Sequence, residues 1–217
     1  QTCALPIYQR INQGAKVLSL KKNFALSSAY QVLLLASPFV TAPYVSRVLG
    51  ADGIGIYSYT RSIQMYFSLF ATLGTASYGA REIARERDSA ENRSKLFWEI
   101  EILSVFTSLV CVAFWFLFVC FFSKEYKIFF LIFTLNILAV MMDISWFYTG
   151  LEQFKYTVGI NSFFRILGIV LQFLLIKRHD DLWIYISIMA LTNFLGNLSM
   201  WIPLNLFLVK VELRSLK

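Results

Sequence analysis

Residues 128–149 read IFFLIFTLNILAVMMDISWFYT, and Asp143 is the single charged side chain in this apolar run. A helix rises about 1.5 Å per residue, so about 20 residues cross the roughly 30 Å of membrane hydrocarbon. The run therefore predicts a membrane-spanning helix. Five further stretches have a similar length and character: Phe24–Ser46, Ser58–Ala80, Glu99–Phe122, Thr157–Ile176 and Leu182–Leu208. The sequence thus predicts an all-α fold, a polytopic bundle of six transmembrane helices.

The composition excludes a single soluble domain. Of 217 residues, 58% are hydrophobic and 15% are charged, whereas a soluble domain is about a quarter charged. The net charge of +7 would favour nucleic-acid binding in a soluble protein. In a membrane protein, Lys and Arg set the orientation instead. We therefore expect no nucleic-acid partner.

Positive charges predict how the spans are oriented. With the N-terminus in the cytoplasm, thirteen Lys and Arg residues fall on the cytoplasmic side and six on the outer side, with Arg165 inside a span. Cytoplasmic segments of membrane proteins carry an excess of Lys and Arg. Both ends of the chain are therefore expected in the cytoplasm.

The predicted organisation has four parts. Residues 8–23 form a cytoplasmic N-terminal segment, residues 24–208 form the six-helix lobe, and residues 209–217 form a cytoplasmic tail. The first seven residues, QTCALPI, are what a widely used sequencing adapter encodes in one reading frame. We expect residues 1–7 to be an assembly artefact and leave them out of the fold.

Polar residues form stripes along several predicted spans. In the second span Arg61 and Gln64 share one helical face, and Asn161 and Arg165 do the same in the fifth span. Such groups either hydrogen-bond between packed helices, which is ordinary in membrane bundles, or line a water-filled cavity. We favour packing for the Ser, Thr and single Asn residues and a cavity for the charged ones.

The charged residues inside the spans need a partner or water. A charge at mid-bilayer costs about 2.5–3.5 kcal/mol even on lenient insertion scales. Asp143 is predicted about 9 Å deep and Arg165 about 12 Å deep, in consecutive spans. We hypothesise an Asp143–Arg165 ion pair that lines or gates an inward-facing cavity, with a static packing pair as the alternative. A charge-swapped double mutant tests the pair.

Two further features lie between the spans. Arg47 and Arg61 flank the predicted outer loop of residues 50–55, where they either snorkel to the interface or offer bidentate donors to a phosphate or pyrophosphate. Charges of both signs at helical spacing over residues 81–88 predict a short solvated helix on the cytoplasmic surface.

The sequence does not indicate catalysis. The chain has one His and three Cys. It shows no clustered metal ligands, no nucleophile with a base, and no paired catalytic carboxylates. We predict that it is not an enzyme and expect neither a metal site nor a cofactor.

Two stretches resemble a known family. They are TAPYVSRVLGADGIGIYS over residues 41–58 and DISWFYTGLEQFK over residues 143–155. Both are similar to the polysaccharide-biosynthesis flippases of the Wzx (RfbX) type, whose superfamily includes the multidrug and toxin extrusion transporters and the lipid II flippase. The resemblance covers nearly everything from about Lys21 onward. It implies two six-helix lobes around a central cavity, with this chain as a fragment that supplies the N-terminal lobe.

The resemblance also implies a function. The expected substrate is an undecaprenyl-pyrophosphate-linked oligosaccharide, moved across the bacterial inner membrane by alternating access for O antigen, capsule or exopolysaccharide. The partners it implies are this substrate, membrane lipid, the missing C-terminal lobe and a polysaccharide polymerase. The candidate residues for substrate binding in the cavity are then Arg47, Arg61, Gln64, Asn161 and Arg165. The candidates for ion pairing or ion coupling are Asp143 and Glu152.

Two other functions stay open. An ion-coupled drug or cation extruder of the same superfamily would carry acidic residues at mid-membrane, whereas in these spans Arg outnumbers Asp. A non-transporting membrane scaffold would bury its polar stripes in helix contacts and would have no central cavity.

Overall fold

The described chain is helical along its apolar length. A computed structural model describes the backbone of residues 5–72, 74–121 and 124–209, and the side chains of the same ranges from residue 25 onward. These residues contain no β-strand, which confirms the all-α fold. The predicted artefact at residues 1–7, the N-terminal segment at 8–23 and the tail at 209–217 lie wholly or partly outside this description and stay predictions.

The helices follow one another with short connections. They are α1 (Leu5–Thr72), α2 (Thr75–Arg85), α3 (Ala90–Phe121), α4 (Lys127–Met141), α5 (Ser145–Gly150), α6 (Phe154–Leu175) and α7 (Leu182–Ser199), with 3₁₀ turns at His179–Asp181 and Ile202–Leu206. Five helical stretches of the described chain are long and apolar enough to cross a membrane: Ala25–Arg85, Ala90–Phe121, Lys127–Gly150, Phe154–Leu175 and His179–Leu206. The chain is therefore a multi-pass membrane protein.

Gly50 divides α1 into two arms. Its φ of 70° and ψ of −179° depart from helical geometry, and glycine adopts such a conformation without a steric penalty. The first arm, residues 25–49, bonds to α6 through Ser37, whereas the second arm, residues 51–72, bonds to α3 through the carbonyl of Ala71. The two arms therefore pack on different helices.

We refer to the two ends of the bundle as the Gly50 end and the Gly150 end. At the Gly50 end, His179 Nδ1 lies 2.9 Å from the Leu49 carbonyl oxygen. At the Gly150 end, α2 and α5 approach so closely that a Cβ atom added at Gly150 would lie 2.7 Å from the Ala80 carbonyl oxygen.

Each end has its own hydrophobic core. The core at the Gly50 end includes Val45, Leu49, Tyr57, Trp115, Phe130, Phe133 and Ile186. The core at the Gly150 end includes Ile83, Phe97, Ile144, Trp146, Phe147 and Tyr148. Many other large apolar side chains lie on the outside, among them Phe39, which is 82% exposed. Apolar exposure on this scale suits contact with membrane lipid.

Two spans that the sequence predicts as continuous are interrupted. The second, Ser58–Ala80, is interrupted at Gly74, whose φ is 76°, and continues as α2. The fourth, Ile128–Thr149, is interrupted at residues 142–144 between α4 and α5. A count of apolar residues cannot register these breaks, because apolar side chains continue on both sides of each one.

The charged segment after the second span also differs from the prediction. Residues 81–85 are the last turns of α2 and not a separate surface helix. Ile83 is completely buried in the core at the Gly150 end. The predicted solvated helix over residues 81–88 is therefore confirmed as a helix up to Arg85 with exposed arginines, but it is not a separate surface helix, because Ile83 anchors it to the core at the Gly150 end.

Candidate functional site

The break between α4 and α5 positions Asp143. Residues 142–144 leave the helical path, and Asp143 Oδ1 accepts a hydrogen bond from the Ser145 backbone N–H at 2.9 Å. This N–H would otherwise lack an intrahelical partner, since it belongs to the first turn of α5. The Asp143 carboxylate therefore has a local structural partner.

Side chains from α7 satisfy carbonyl groups near this break. Asn197 Nδ2 donates to the Ala139 carbonyl at 2.7 Å, and Trp201 Nε1 donates to the Met142 carbonyl at 2.9 Å. In a membrane, irregular backbone is tolerated only where protein or water satisfies its polar groups. The α7 side chains thus stabilise the break.

Arg165 lies on α6 and binds the first arm of α1. Its Nε donates to Ser37 Oγ at 2.9 Å, and its Nη2 donates to the same oxygen. The predicted Asp143–Arg165 ion pair is wrong, since the described residues form no salt bridge between these groups. The physical reason is that Asp143 bonds to the start of α5 while the guanidinium bonds to α1.

Arg61 lies beside a pair of tyrosines that connect α1 to α7. Arg61 Nη1 donates to the Tyr57 hydroxyl, and the Tyr57 and Tyr185 rings meet edge to face with their centroids 4.8 Å apart. Arg165 lies in the same part of the bundle, within electrostatic range of Tyr185. Arg61 is therefore linked to α7 through Tyr57.

Tyr30 extends this arrangement toward the α4–α5 break. It lies on the first arm, is half-buried, and is within electrostatic reach of both Arg165 and Asp143. We call the set Arg61, Tyr185, Arg165, Tyr30 and Asp143 the polar track. The track offers two guanidinium groups, one carboxylate and two hydroxyl groups within the membrane-spanning helices.

Gln64 and Asn161 lie on the helices that carry the arginines. Gln64 is buried, and its Nε2 donates to Ser68 Oγ one turn later. Asn161 is half-buried, one turn before Arg165 on α6. A role for either residue in substrate binding stays a prediction.

The other two predicted site residues lie near opposite ends of the bundle. Arg47 is exposed on the first arm, close to Gly50. Glu152 follows Gly150, and its Oε1 lies 3.3 Å from Arg87 Nη1. A role for Arg47 in substrate binding stays a prediction. Glu152 forms an ion pair with Arg87, and its role in ion coupling stays a prediction.

Several other polar groups join helices. Trp115 Nε1 donates to Thr134 Oγ1 at 3.0 Å, and Asn193 Nδ2 donates to Asn136 Oδ1 at 3.0 Å.

A groove of about 380 Å³ is lined by Phe67, Phe70, Cys111, Phe114, Leu117, Phe118 and Phe121. This groove is apolar and contains none of the predicted site residues.

Sequence reasoning missed the tyrosines of this region. Tyr57 stands one turn before Arg61, a spacing that places two side chains on the same helix face. Tyr30 and Tyr185 give no such signal, because an aromatic residue near the end of a span also fits the interfacial belt. Only the packing of α1, α6 and α7 brings these hydroxyl groups to the arginines.

Comparison with known proteins points to one family. The family model described as polysaccharide biosynthesis protein matches residues 20–212. A Shigella dysenteriae protein named as an O-antigen transporter is 26% identical over 165 residues, which are 75% of this chain and 41% of that protein. An Escherichia coli (strain K12) protein of the same name is 23% identical over 184 residues, which are 83% of this chain and 44% of that protein. The matches thus span less than half the length of these curated relatives, and no solved structure matches the chain.

Proposed function

The chain belongs to the polysaccharide biosynthesis protein family, and from this premise we propose that it forms the N-terminal lobe of a lipid-linked oligosaccharide flippase. The substrate is an undecaprenyl-pyrophosphate-linked repeat unit, which passes from the inner to the outer leaflet of the bacterial inner membrane. The names of the relatives support O-antigen transport. The observation that carries the proposal is the presence of Arg61 on α1 and Arg165 on α6 within membrane-spanning helices, each bonded to a neutral hydroxyl group and not to a carboxylate.

The arginines explain how such a substrate would be bound. A guanidinium group offers a rigid fork of donors that matches phosphate oxygens in pairs. Arg61 is exposed on the described lobe and Arg165 is half-buried, and a guanidinium group at membrane depth is unfavourable unless it gains an anionic partner or water. A pyrophosphate group that enters along the polar track provides that partner. The undecaprenyl tail stays in the surrounding lipid meanwhile, and alternating access moves the head group between leaflets.

We further propose that the two arms of α1 cross the membrane separately, which makes six crossings. Ser37 on the first arm bonds to Arg165 near the middle of α6. Ala71 near the end of the second arm bonds to Thr107 near the middle of α3. Both arms therefore lead from Gly50 toward the Gly150 end. Their lengths of about 38 Å and 33 Å, at about 1.5 Å per residue, suffice for one crossing each.

The excess of Lys and Arg supports an orientation with the Gly150 end in the cytoplasm. The short coverage of the relatives supports a second lobe, which would complete the cavity. Membrane lipid and a polysaccharide polymerase are the other proposed partners.

An ion-coupled extruder of drugs or cations is the second candidate function. Its support is Glu101, an acidic residue on α3 that is 2% exposed and would suit a cationic substrate. A non-transporting scaffold is a third candidate, supported by the hydrogen bonds that join Asn193 to Asn136 and Trp115 to Thr134.

Complementation of a flippase-null strain by the complete gene tests the proposal. Restored surface polysaccharide is expected with the wild-type gene. It should be lost with the double substitution of Arg61→Gln and Arg165→Gln at an equal amount of protein in the membrane. Arg85→Gln is the matched control, because Arg85 is exposed and bonds to Glu82 at 2.7 Å, away from the polar track. Full surface polysaccharide from the double variant would contradict the proposal, and drug resistance without surface polysaccharide would favour the extruder.

A further inference from the structure

Glu101 is a buried carboxyl group that the proposed flippase mechanism does not use. It is 2% exposed, and neither Oε1 nor Oε2 has a hydrogen-bond partner among the residues that the structure describes. An ionised carboxylate buried in this way is strongly unfavourable, since it has lost its water without gaining a donor. The group is therefore expected to bind a proton or a cation.

Glu101 faces protein and not lipid. The buried side chains of α3 recur at spacings of three and four residues, the pattern of one helix face: Ser94, Phe97, Glu101, Ser104 and Ser108. This face packs against α1, α2 and α4. Glu101 lies 11 residues after Ala90, about 16 Å along the helix axis, and directly before the uncharged run that begins at Ile102.

Asp143, in the break after α4, is the charged group near Glu101: Ile100 and Ile144, the residues next to each of them, belong to the same core at the Gly150 end. The other charged side chains described on the helices packed against α3 are Arg47, Asp52 and Arg61 on α1, Arg81, Glu82 and Arg85 on α2, and Lys127 on α4. Of these, Arg61 is bonded to Tyr57, and Glu82 and Arg85 are bonded to each other. Two neighbouring carboxyl groups do not readily carry a charge at the same time. Asp143 accepts a hydrogen bond from the Ser145 N–H whereas Glu101 accepts none, so Glu101 is the carboxyl group of the two that lacks a donor.

A proton suits this environment better than a metal ion. The described residues contain no group of three or more His, Cys, Asp or Glu side chains that could hold a metal. A proton needs one oxygen only, and it removes the charge that burial disfavours.

We propose that Glu101 is a proton-binding site whose occupancy acts on the α4–α5 break through Asp143. Proton uptake converts the Glu101 carboxylate to a carboxylic acid and ends its repulsion of Asp143. Loss of the proton restores two like charges and favours a displacement of Asp143 from the Ser145 N–H. The link to transport rests on the proposed flippase function, whereas the proton site itself does not.

Infrared spectroscopy of the full-length protein in lipid vesicles tests the site without a transport measurement. At neutral pH we expect the carbonyl band of a protonated carboxylic acid, and this band should shift in D₂O. The band should be missing from the spectrum of Glu101→Gln, in which the amide has nearly the same shape as the neutral acid. Glu91→Gln is the control and should retain the band, since Glu91 is exposed and bonds to Lys95. Absence of the band at neutral pH, its persistence in Glu101→Gln, or its loss on adding sodium at constant pH would overturn the proposal.

A transport assay then tests the coupling. Flipping by the wild-type protein should depend on a pH gradient, and Glu101→Gln should abolish that dependence. A gradient dependence that is unchanged in Glu101→Gln would overturn the coupling, even with the infrared band assigned. Failure of the wild-type protein to flip the substrate would instead overturn the flippase function and leave the infrared result standing.

Discussion

Arg165 of α6 donates two hydrogen bonds to the hydroxyl group of Ser37, which lies 128 residues earlier in the chain on the first arm of α1. This neutral partner accepts from two of the guanidinium nitrogens without neutralising the positive charge. Since Arg61 is likewise bonded to a hydroxyl group, that of Tyr57, both arginines keep their positive charge available. A pair with Asp143 would have removed it.

Removal of the Ser37 hydroxyl should destabilise the protein. Ser37 is 3% exposed and Arg165 is half-buried, so Ser37→Ala leaves two partly buried guanidinium nitrogens without their acceptor. A hydrogen bond to a charged group contributes about 1.5–3 kcal/mol. We expect a double-mutant cycle of Ser37→Ala with Arg165→Ala to give a coupling energy in that range, measured by unfolding of the full-length protein in detergent. Ser62→Ala is the control, because the exposed Ser62 hydroxyl bonds only to its own helix. Additive effects of the two substitutions would contradict the contact.

Substitution of Asp143 should separate its structural role from its charge. Asp143→Asn keeps an oxygen that can accept from the Ser145 N–H, whereas Asp143→Ala removes it. Loss of a helix cap costs about 0.5–2 kcal/mol. We expect Asp143→Ala to lower the unfolding midpoint while Asp143→Asn retains it, and we expect both to impair complementation. Complementation by Asp143→Asn at the wild-type level would show that transport does not require the charge of Asp143.

The contact of α7 with the end of α4 should be important for stability. Asn197→Ala leaves the Ala139 carbonyl without the amide donor that now lies 2.7 Å away. An unsatisfied buried polar group costs about 1–3 kcal/mol, so the unfolding midpoint should fall. Asn205→Ala offers a control at an exposed position of the last 3₁₀ turn. Equal midpoints for the two variants would count against the role assigned to α7.

Much of the fold could be predicted because a membrane span is recognised by the summed hydropathy of about 20 residues, so single polar residues do not hide it. The apolar stretches from Ala90 onward lie close to four of the predicted spans. The break at Gly50 also carried a signal, since three glycines, at positions 50, 53 and 55, lie close together between two apolar runs. The left-handed turn at Gly74 lies inside an apolar run and carried none.

The candidate site was predicted less well, because side-chain partners depend on distances between helices. Arg165 and Asp143 share the neighbourhood of Tyr30, as consecutive spans would suggest. The choice of Ser37 as the partner of Arg165 depends on how the first arm of α1 packs on α6. Burial of Glu101 follows from the face that α3 turns toward α1, α2 and α4.

The close approach of α5 to α2 should make Gly150 sensitive to a single methyl group. In Gly150→Ala the added carbon would lie 2.7 Å from the Ala80 carbonyl oxygen, so the helices must move apart. Overpacking of this kind costs about 1–3 kcal/mol. Gly159→Ala is a matched control, since no other side chain lies within 4 Å of the added carbon. It should leave stability unchanged or raise it by up to about 1 kcal/mol. Thermal unfolding of both variants checks the prediction, and a Gly150→Ala midpoint at or above that of Gly159→Ala would contradict it.

The proposed orientation can be tested at the two ends of the bundle. In a full-length variant without native cysteines, Ala51→Cys places a thiol beside Gly50, and Ala84→Cys places one on the exposed side of α2 near the Gly150 end. The distribution of Lys and Arg puts the Gly50 end outside the cytoplasm. A membrane-impermeant maleimide should therefore label Ala51→Cys in intact spheroplasts, and it should label Ala84→Cys only after the membrane is permeabilised. Retained complementation by each variant shows that the introduced thiol reports on the native topology. The reverse labelling pattern would invert the orientation, and labelling of both thiols from outside would show that the second arm of α1 does not cross the membrane.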